Sequence, residues 1–183
     1  MAETVAETGR LRLRTWDEAD IDPFMAHLNT PAVMRWLGGV QARADYEAVY
    51  QRVAASQAEH GHCFWIVERK QDGALLGFCG LKRFNSEGSD LTGSFEIGWR
   101  LREDAWGQGY AREAASASLD HAFDTLEAPY VVALTVQGNT GSWGLMERLG
   151  MERRSDLDFV DPRFGPELNP TVIYRIGRDQ WKA

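Results

Sequence analysis

Along RLRLRTW, Arg10 to Trp16, basic and apolar residues alternate with the period of a half-buried strand. Asp17 then caps a helix running to about His27, and Pro31 starts a short second helix through Leu37, ended by Gly38 and Gly39. From Asp45 to His60 the positions Tyr46, Val49, Tyr50 and Val53 recur at helical spacing, and Gly61 stops that helix. CFWIVERK and ALLGFCGLKRF read as strands joined through Gln71, Asp72 and Gly73, a hairpin signal. After a polar loop from Asn85 to Gly93, SFEIGWRLR turns Phe95, Ile97, Trp99 and Leu101 one way and Glu96 the other. Three consecutive strands predict an antiparallel meander. WGQGYAREA then opens a helix whose small or apolar positions, Ala111, Ala114, Ala115, Ser118, Leu119, Ala122, Phe123 and Leu126, fall three and four apart. YVVALTV follows as a buried strand, and GNTGS leads into a helix with Leu145, Met146 and Leu149 inward, stopped by Gly150. This alternation predicts right-handed crossovers beside the meander. MERRSDLDF and TVIYRIGR make two final strands around a proline-containing loop from Val160 to Pro170.

Composition adds bounds. The length of 183 residues, with 44% hydrophobic and 26% charged, fits one globular domain with a real core. A net charge of −7 argues against broad binding to nucleic acid and mildly favours cationic substrates. MAETVAETGR has neither a basic start nor an apolar stretch, and no apolar run reaches the length of a membrane span, so a cytoplasmic protein is expected. Cys63 and Cys79 sit in apolar runs and are expected as buried, reduced thiols. His27, His60, His62 and His121 are scattered without partners at ligand spacing; surface or helix-end histidines are expected, and no metal.

The glycines of WGQGYAREA stand where a helix start leaves amides without partners beside a partial positive charge, an arrangement suited to an anion such as phosphate. No Walker lysine followed by Ser or Thr is present, and Arg112 stands where a dinucleotide fingerprint needs Gly or Ala. No G-x-S-x-G elbow occurs, which removes a serine hydrolase of that type. What is left is a strand ending in WRLR, a short loop and a glycine-bearing helix start. This unit resembles the coenzyme A pyrophosphate loop of the Gcn5-related N-acetyltransferase superfamily. The family pattern Q/R-x-x-G-x-G/A lies over Trp106, Gly107, Gln108, Gly109, Tyr110 and Ala111, with Trp in place of Gln or Arg. TGRLRLRTW, SFEIGWRL and NTGSWGLMERLGM are similar to further segments of the branch typified by ribosomal-protein N-terminal acetyltransferases (RimJ/RimL-like), and Gln108 replaces its usual basic loop residue.

The resemblance spans about Thr8 to Arg178 and implies a single domain of residues 8–180. The implied fold is α/β, a mixed, mostly antiparallel sheet of about seven strands with splayed central strands, flanked by about four helices. The implied activity is acetyl transfer from acetyl-coenzyme A, as co-substrate and without a metal, to a primary amine: a peptide N-terminus or a small molecule. A homodimer is left open. By the same resemblance, Trp106, Gly107, Gln108, Gly109, Tyr110 and Ala111 form the cofactor-binding loop, with amides near Gln108 to Ala111 holding the pyrophosphate, Trp99, Arg100 and Leu101 meet the pantetheine arm and acetyl group, and Asn139 bonds the arm. Glu96 is the candidate base, against an ordinary solvated or ion-paired residue. Many members use a tyrosine to protonate the departing thiolate. Met146 occupies that position, so Ser142 is the candidate substitute, against a plain polar residue of a helix's first turn. Asn139 is expected to combine an N-cap with the ligand role, against a cap alone, and Arg102 and Arg112 read as surface ion-pair partners rather than phosphate ligands. The competing class is an acyl-coenzyme A binding module without catalysis.

Overall fold

The computed structural model describes residues 2–181. It holds eight strands, β1 Thr4–Glu7, β2 Leu11–Arg14, β3 Phe64–Arg69, β4 Leu75–Arg83, β5 Phe95–Leu101, β6 Tyr130–Val136, β7 Glu152–Arg153 and β8 Thr171–Gly177. The helices are α1 Ile21–Leu28, α2 Pro31–Met34, α3 Arg43–His60, α4 Tyr110–Asp120, α5 Thr140–Arg148 and α6 Arg178–Trp181. The mixed, mostly antiparallel sheet agrees with expectation, with one strand more. The additional strand is β1, whose TVAE has no apolar period and forms by pairing with β2, Ala6 against Leu13 and Glu7 against Arg12.

The chain divides into two compact units. The first comprises the described residues up to Lys82 together with Gly98–Ser118. Its strands follow the order β1-β2-β3-β4 and then the second half of β5. β2 turns Leu11 and Leu13 inward, both fully buried, as its alternation predicts. The β3/β4 hairpin closes at Gly73, φ +70, where the sequence puts its turn. On one sheet face, Ile21, Phe24 and Leu28 of α1 and Tyr46 of α3 bury against Ile66 and Phe78. The Phe78 ring lies stacked between those of Phe64 at 4.9 Å and Phe24 at 6.0 Å. Arg14 anchors the entry to α1: it pairs with Asp20 through two bonds of 2.8 Å and with Glu68 at 2.9 Å. Asp17 caps that entry through the Ala19 amide, but the first turn is a 3₁₀ turn, Glu18–Asp20, and α1 proper starts at Ile21.

Two glycines on β4 let backbones approach closely. A Cβ at Gly80 would sit 2.2 Å from the Cys63 carbonyl oxygen, and one at Gly77 would sit 2.0 Å from the Arg100 carbonyl oxygen. Gly77 also has φ +146 and lies at a bulge, where the β3/β4 register jumps from Val67↔Gly77 to Glu68↔Leu75. Cys63 and Cys79 are buried and free, as expected, and burial pushes both thiols up to about 12. His62 departs from the surface expectation. It is fully buried with Nδ1 3.0 Å from the Leu81 carbonyl oxygen, because the strand-entry residues of β3 are sealed on both sides.

The second unit comprises Arg83–Ile97 and the described residues from Leu119. Here β5 and β6 pair in parallel at Phe95↔Val131 and Glu96↔Val132, the first two residues of β5, and β6 pairs antiparallel with β8 along its whole length. Phe84, Val132, Phe159 and Ile173 form its apolar centre. The long helix ends in a widened π turn, His121–Thr125, rather than continuing as regular helix to Leu126. MERRSDLDF gives only the two-residue β7 and a 3₁₀ turn, Ser155–Leu157, since Arg153 and Arg154 are drawn into pairs with Asp158 and Asp156.

The Gly77 bulge generates a stability prediction. Gly77→Ala adds a methyl into the Arg100 carbonyl and strains φ, and costs about 3 kcal/mol or more. Gly73→Ala, at a positive φ but with nothing within 4 Å of its Cβ, costs about 1 kcal/mol. Urea unfolding of both variants checks the difference; equal losses would contradict the close approach.

Candidate active site

The glycine loop lies in the first unit and is built from both its ends. At the upstream end the Arg102 amide donates to the Leu76 carbonyl at 2.8 Å, fixing the end of β5 beside the bulge. A 3₁₀ turn, Glu103–Ala105, follows, and the exposed Trp106 ring folds back so that its Nε1 donates to the Leu101 carbonyl at 2.8 Å. Gly107 and Gly109 then take φ +70 and +80, a conformation that side chains resist and glycine adopts freely. No heavy atom lies within 4 Å of a Cβ built at Gly107. The first helical bond runs from the Glu113 amide to the Gly109 carbonyl, so the amides from Gly109 to Arg112 have no partner within the helix. Gln108 is exposed and its side chain donates to the Asp104 carbonyl at 2.7 Å. Tyr110 is buried, so its ring packs while its amide stays at the helix start.

From the other side Arg10 holds the loop. Its Nη1 donates to the Gln108 carbonyl at 2.9 Å, its Nε to Glu113 at 2.7 Å, and its guanidinium lies 4.3 Å from the Tyr110 ring centre. Glu113 also accepts from the Arg10 amide at 2.9 Å and from the Thr8 hydroxyl. Burial raises the Glu113 carboxyl, but the bonds from Thr8 and Arg10 outweigh it and hold the group below its ordinary value. Sequence reasoning missed Arg10, which stands 103 residues from Glu113 with no local signal linking them. Arg102 forms a two-point pair with Asp104 at 2.6 and 2.7 Å, in line with the ion-pair reading, and Arg112 is exposed.

Trp99, Arg100 and Leu101 lead directly into this loop, Leu101 buried and the other two half-buried. The structure thus brings Trp99, Arg100, Leu101, Trp106, Gly107, Gln108, Gly109, Tyr110 and Ala111 together within the first unit.

Glu96, Asn139 and Ser142 belong to the second unit. Glu96 is 6% exposed, which removes the solvated reading, and its charge helps to hold the Arg163 guanidinium above its ordinary value, after the larger effect of Asp161. Asn139 occupies the N-cap position of α5 but does not cap it; its amide turns to the Thr135 hydroxyl at 3.0 Å. The cap reading therefore fails at the side chain. Ser142 is half-buried in the first turn of α5. Met146 is 1% exposed and part of the apolar core, so that position has no route to donate a proton.

A strand ending in a glycine-bearing helix start, with open amides and no nucleotide motif, is suited to an anion and fits the acetyltransferase resemblance drawn from the sequence. The comparisons agree with that resemblance. Residues 10–152 match the model of the acetyltransferase (GNAT) domain, and the chain belongs to this family. It is 32% identical over 151 residues to the uncharacterized protein YkkB of Bacillus subtilis, covering 82% of this chain and 86% of that one. It is 26% identical over 175 residues to the uncharacterized N-acetyltransferase YnaD of the same organism, covering 95% and 97%. A crystal structure of an acetyltransferase from Agrobacterium tumefaciens superposes with a TM-score of 0.77 at 28% identity, covering 95% and 94%. A GNAT-family structure from Bacillus anthracis, at 23% identity and TM-score 0.75, shares the fold, covering 98% and 99%. The protein is an acetyltransferase.

The Glu113 latch carries a pH prediction. Its carboxyl titrates lower in the folded chain, so its contribution is complete above the unfolded value near 4.5 and is lost as pH falls through the folded one. Glu113→Gln is expected to cost about 2 kcal/mol at neutral pH, with the gap to wild type narrowing below about pH 4. Denaturant unfolding from pH 3 to 7 reads it; a gap independent of pH would mean that the charge is idle.

Proposed function

We propose that this enzyme transfers an acetyl group from acetyl-coenzyme A to a primary amine by direct attack, as a single cytoplasmic domain of residues 8–180 of the ribosomal-protein N-terminal acetyltransferase-like branch. The observation that carries this reading is the pair of left-handed glycines at Gly107 and Gly109 ahead of the open amides of α4. The amides from Gln108 to Ala111, which overlap that open set, would take the pyrophosphate, with no side chain in the way at Gly107. Gln108 contributes its backbone rather than its side chain, which is committed to Asp104. Trp99, Arg100 and Leu101 would meet the arm and acetyl group through backbone groups, one N–H polarising the thioester carbonyl. Asn139, whose Nδ2 is taken by Thr135, would offer its remaining side-chain carbonyl to the arm.

An attacking amine must be neutral, yet an α-amino group has a pKa of about 8 and lysine one of about 10.4. Glu96 would take the proton, directly or through water, and Ser142 would supply one to the departing thiolate. In balance, the new amide C–N bond forms as the thioester C–S bond breaks, the amine proton leaves to Glu96, and the thiolate gains one.

Thiol release with acetyl-coenzyme A and a panel of peptides, polyamines and small amines tests the activity. Tight cofactor binding with no turnover on any acceptor would favour a binding module instead. Gly109→Asn, which tolerates a positive φ, is expected to weaken coenzyme A binding by calorimetry at little cost in stability, whereas Gly109→Val loses both. Undiminished affinity in folded Gly109→Asn would remove the loop from the reading. Glu96→Gln is expected to lower turnover about 10²-fold at low pH, with partial rescue as pH rises and the amine loses its proton unaided. Ser142→Ala is expected to give a smaller defect without that rescue. A normal pH profile in Glu96→Gln would leave water as the proton acceptor.

A further inference from the structure

Most arginines of the first unit face a carboxylate: Arg10 meets Glu113, Arg14 meets Asp20 and Glu68, Arg69 meets Asp72, and Arg102 meets Asp104. Arg100 does not. Among the described residues its side chain makes no hydrogen bond and no ion pair, and its Nε is sealed from solvent without an acceptor. The guanidinium lies over an aromatic ring instead: the Phe78 ring centre is 5.2 Å from its Cζ, and Phe78 is itself stacked with Phe64 and Phe24. The polar group with an electrostatic effect on it is Tyr46, whose hydroxyl donates to Asn29 at 3.0 Å. Burial accordingly pulls the guanidinium below its ordinary value, with Tyr46 a lesser opposing effect.

A guanidinium presents five donors in a planar fork, and leaving even the sealed Nε unmet away from water is unfavourable. The ligand group whose geometry fits that fork is a carboxylate, through two parallel charge-assisted bonds. The residue as a whole is only half-buried, so a ligand can still reach it, and an apolar aromatic lining with one polar anchor is the make-up of a small-molecule site.

We propose that Arg100 receives a carboxylate of the acceptor, so that this enzyme acetylates amines that also carry a carboxylate, supplied by a free amino acid or by an acidic side chain in a peptide. The proposal rests on the acetyl-transfer reading and deepens it by naming the acceptor class. Arg100 acts in specificity, not in the proton transfers. It departs from the expectation drawn from net charge: on this reading the local cation, not the −7 of the whole chain, selects the ligand.

The test uses matched pairs, glutamate against glutamine, aspartate against asparagine and phenylalanine against phenylalaninamide, with amidated peptides bearing Glu or Gln at the second position as the peptide arm. Each is measured for binding by calorimetry in the presence of coenzyme A, and for turnover by thiol release. In wild type, at least one carboxylate is expected to bind about tenfold or more tighter than its carboxamide. The ratio falls to near one in Arg100→Met and lies between in Arg100→Lys, which keeps the charge but loses the fork. Coenzyme A binding is measured alongside, and is expected to fall by less than carboxylate binding does. Arg100→Met is also expected to melt no lower than wild type, since it removes an unpaired charge.

Which arm shows the ratio, free amino acid or peptide, names the source. Ratios near one for every pair in wild type would overturn the proposal without any variant. A retained ratio with weakened coenzyme A binding in Arg100→Met would overturn it too, placing the guanidinium on the cofactor. Carboxylate binding that depends on Arg100 with no thiol release from any acceptor would sink the acetyl-transfer reading while leaving the Arg100 site standing.

Discussion

The second half of β5 can run where it does because β4 has no side chain at Gly77. The Arg100 carbonyl occupies the space that a Cβ there would fill, 2.0 Å from its centre. The bulge at this position lets the Leu76 carbonyl accept from the Arg102 amide, which closes the ladder one residue past the strand and aims the chain into the glycine loop. The backbone of Arg100, the direction of its side chain and the start of α4 are thereby set together. Sequence reading treats Gly77 as one residue of an apolar strand; its consequence lies in the close approach of a strand some twenty residues away.

A second constraint works from the far end of the loop. Gly107 and Gly109 are free to turn left-handed, and that freedom would leave the loop loose without an outside tether. Arg10 and Glu113 supply one, joining the residue just before β2 to the first turn of α4 through the Gln108 carbonyl and the Tyr110 ring. The amides keep their openness because the tether holds a carbonyl and a ring face instead of the N–H groups. Rigid flanks with open donors are what a preorganised anion site needs.

What the sequence made legible was what depends on near neighbours. The alternation of Leu11 and Leu13, the hairpin at Gly73, the helical face of α3 and the glycine loop all rest on residues within a turn or a strand of each other, and the structure has them in place. What it hid depends on partners far along the chain. β1 carries no period of its own and exists through its pairing with β2. The strand expected over MERRSDLDF is cut short by local arginine–aspartate pairs that compete for its middle. His62 reads as a polar surface residue until the strands around it bury it against the Leu81 carbonyl. Of the candidate site, the loop and its strand were readable, whereas the turning of Asn139 away from its cap and the solitary state of Arg100 were not, since each is a fact about which neighbour fails to arrive.

Arg100 and Arg14 show how the same residue type serves opposite ends. Arg14 is half-buried between two carboxylates, so its charge is spent on structure, tying β2 to β3 and to the turn before α1. Removing one partner there would strand a buried charge, which is the expensive failure of such a network. Arg100 keeps its Nε in that condition, sealed without an acceptor, with its guanidinium over the Phe78 ring. Folding alone has no use for it, as an apolar residue would pack against Phe78 without any desolvation cost. An acceptor carried by a ligand would supply what the chain leaves open at the Arg100 Nε, on the strand that leads into the glycine loop. Long-range attraction does not decide that: the −7 of the whole chain is screened over about 8 Å at physiological ionic strength, while two aligned hydrogen bonds in a dry aromatic setting act at contact.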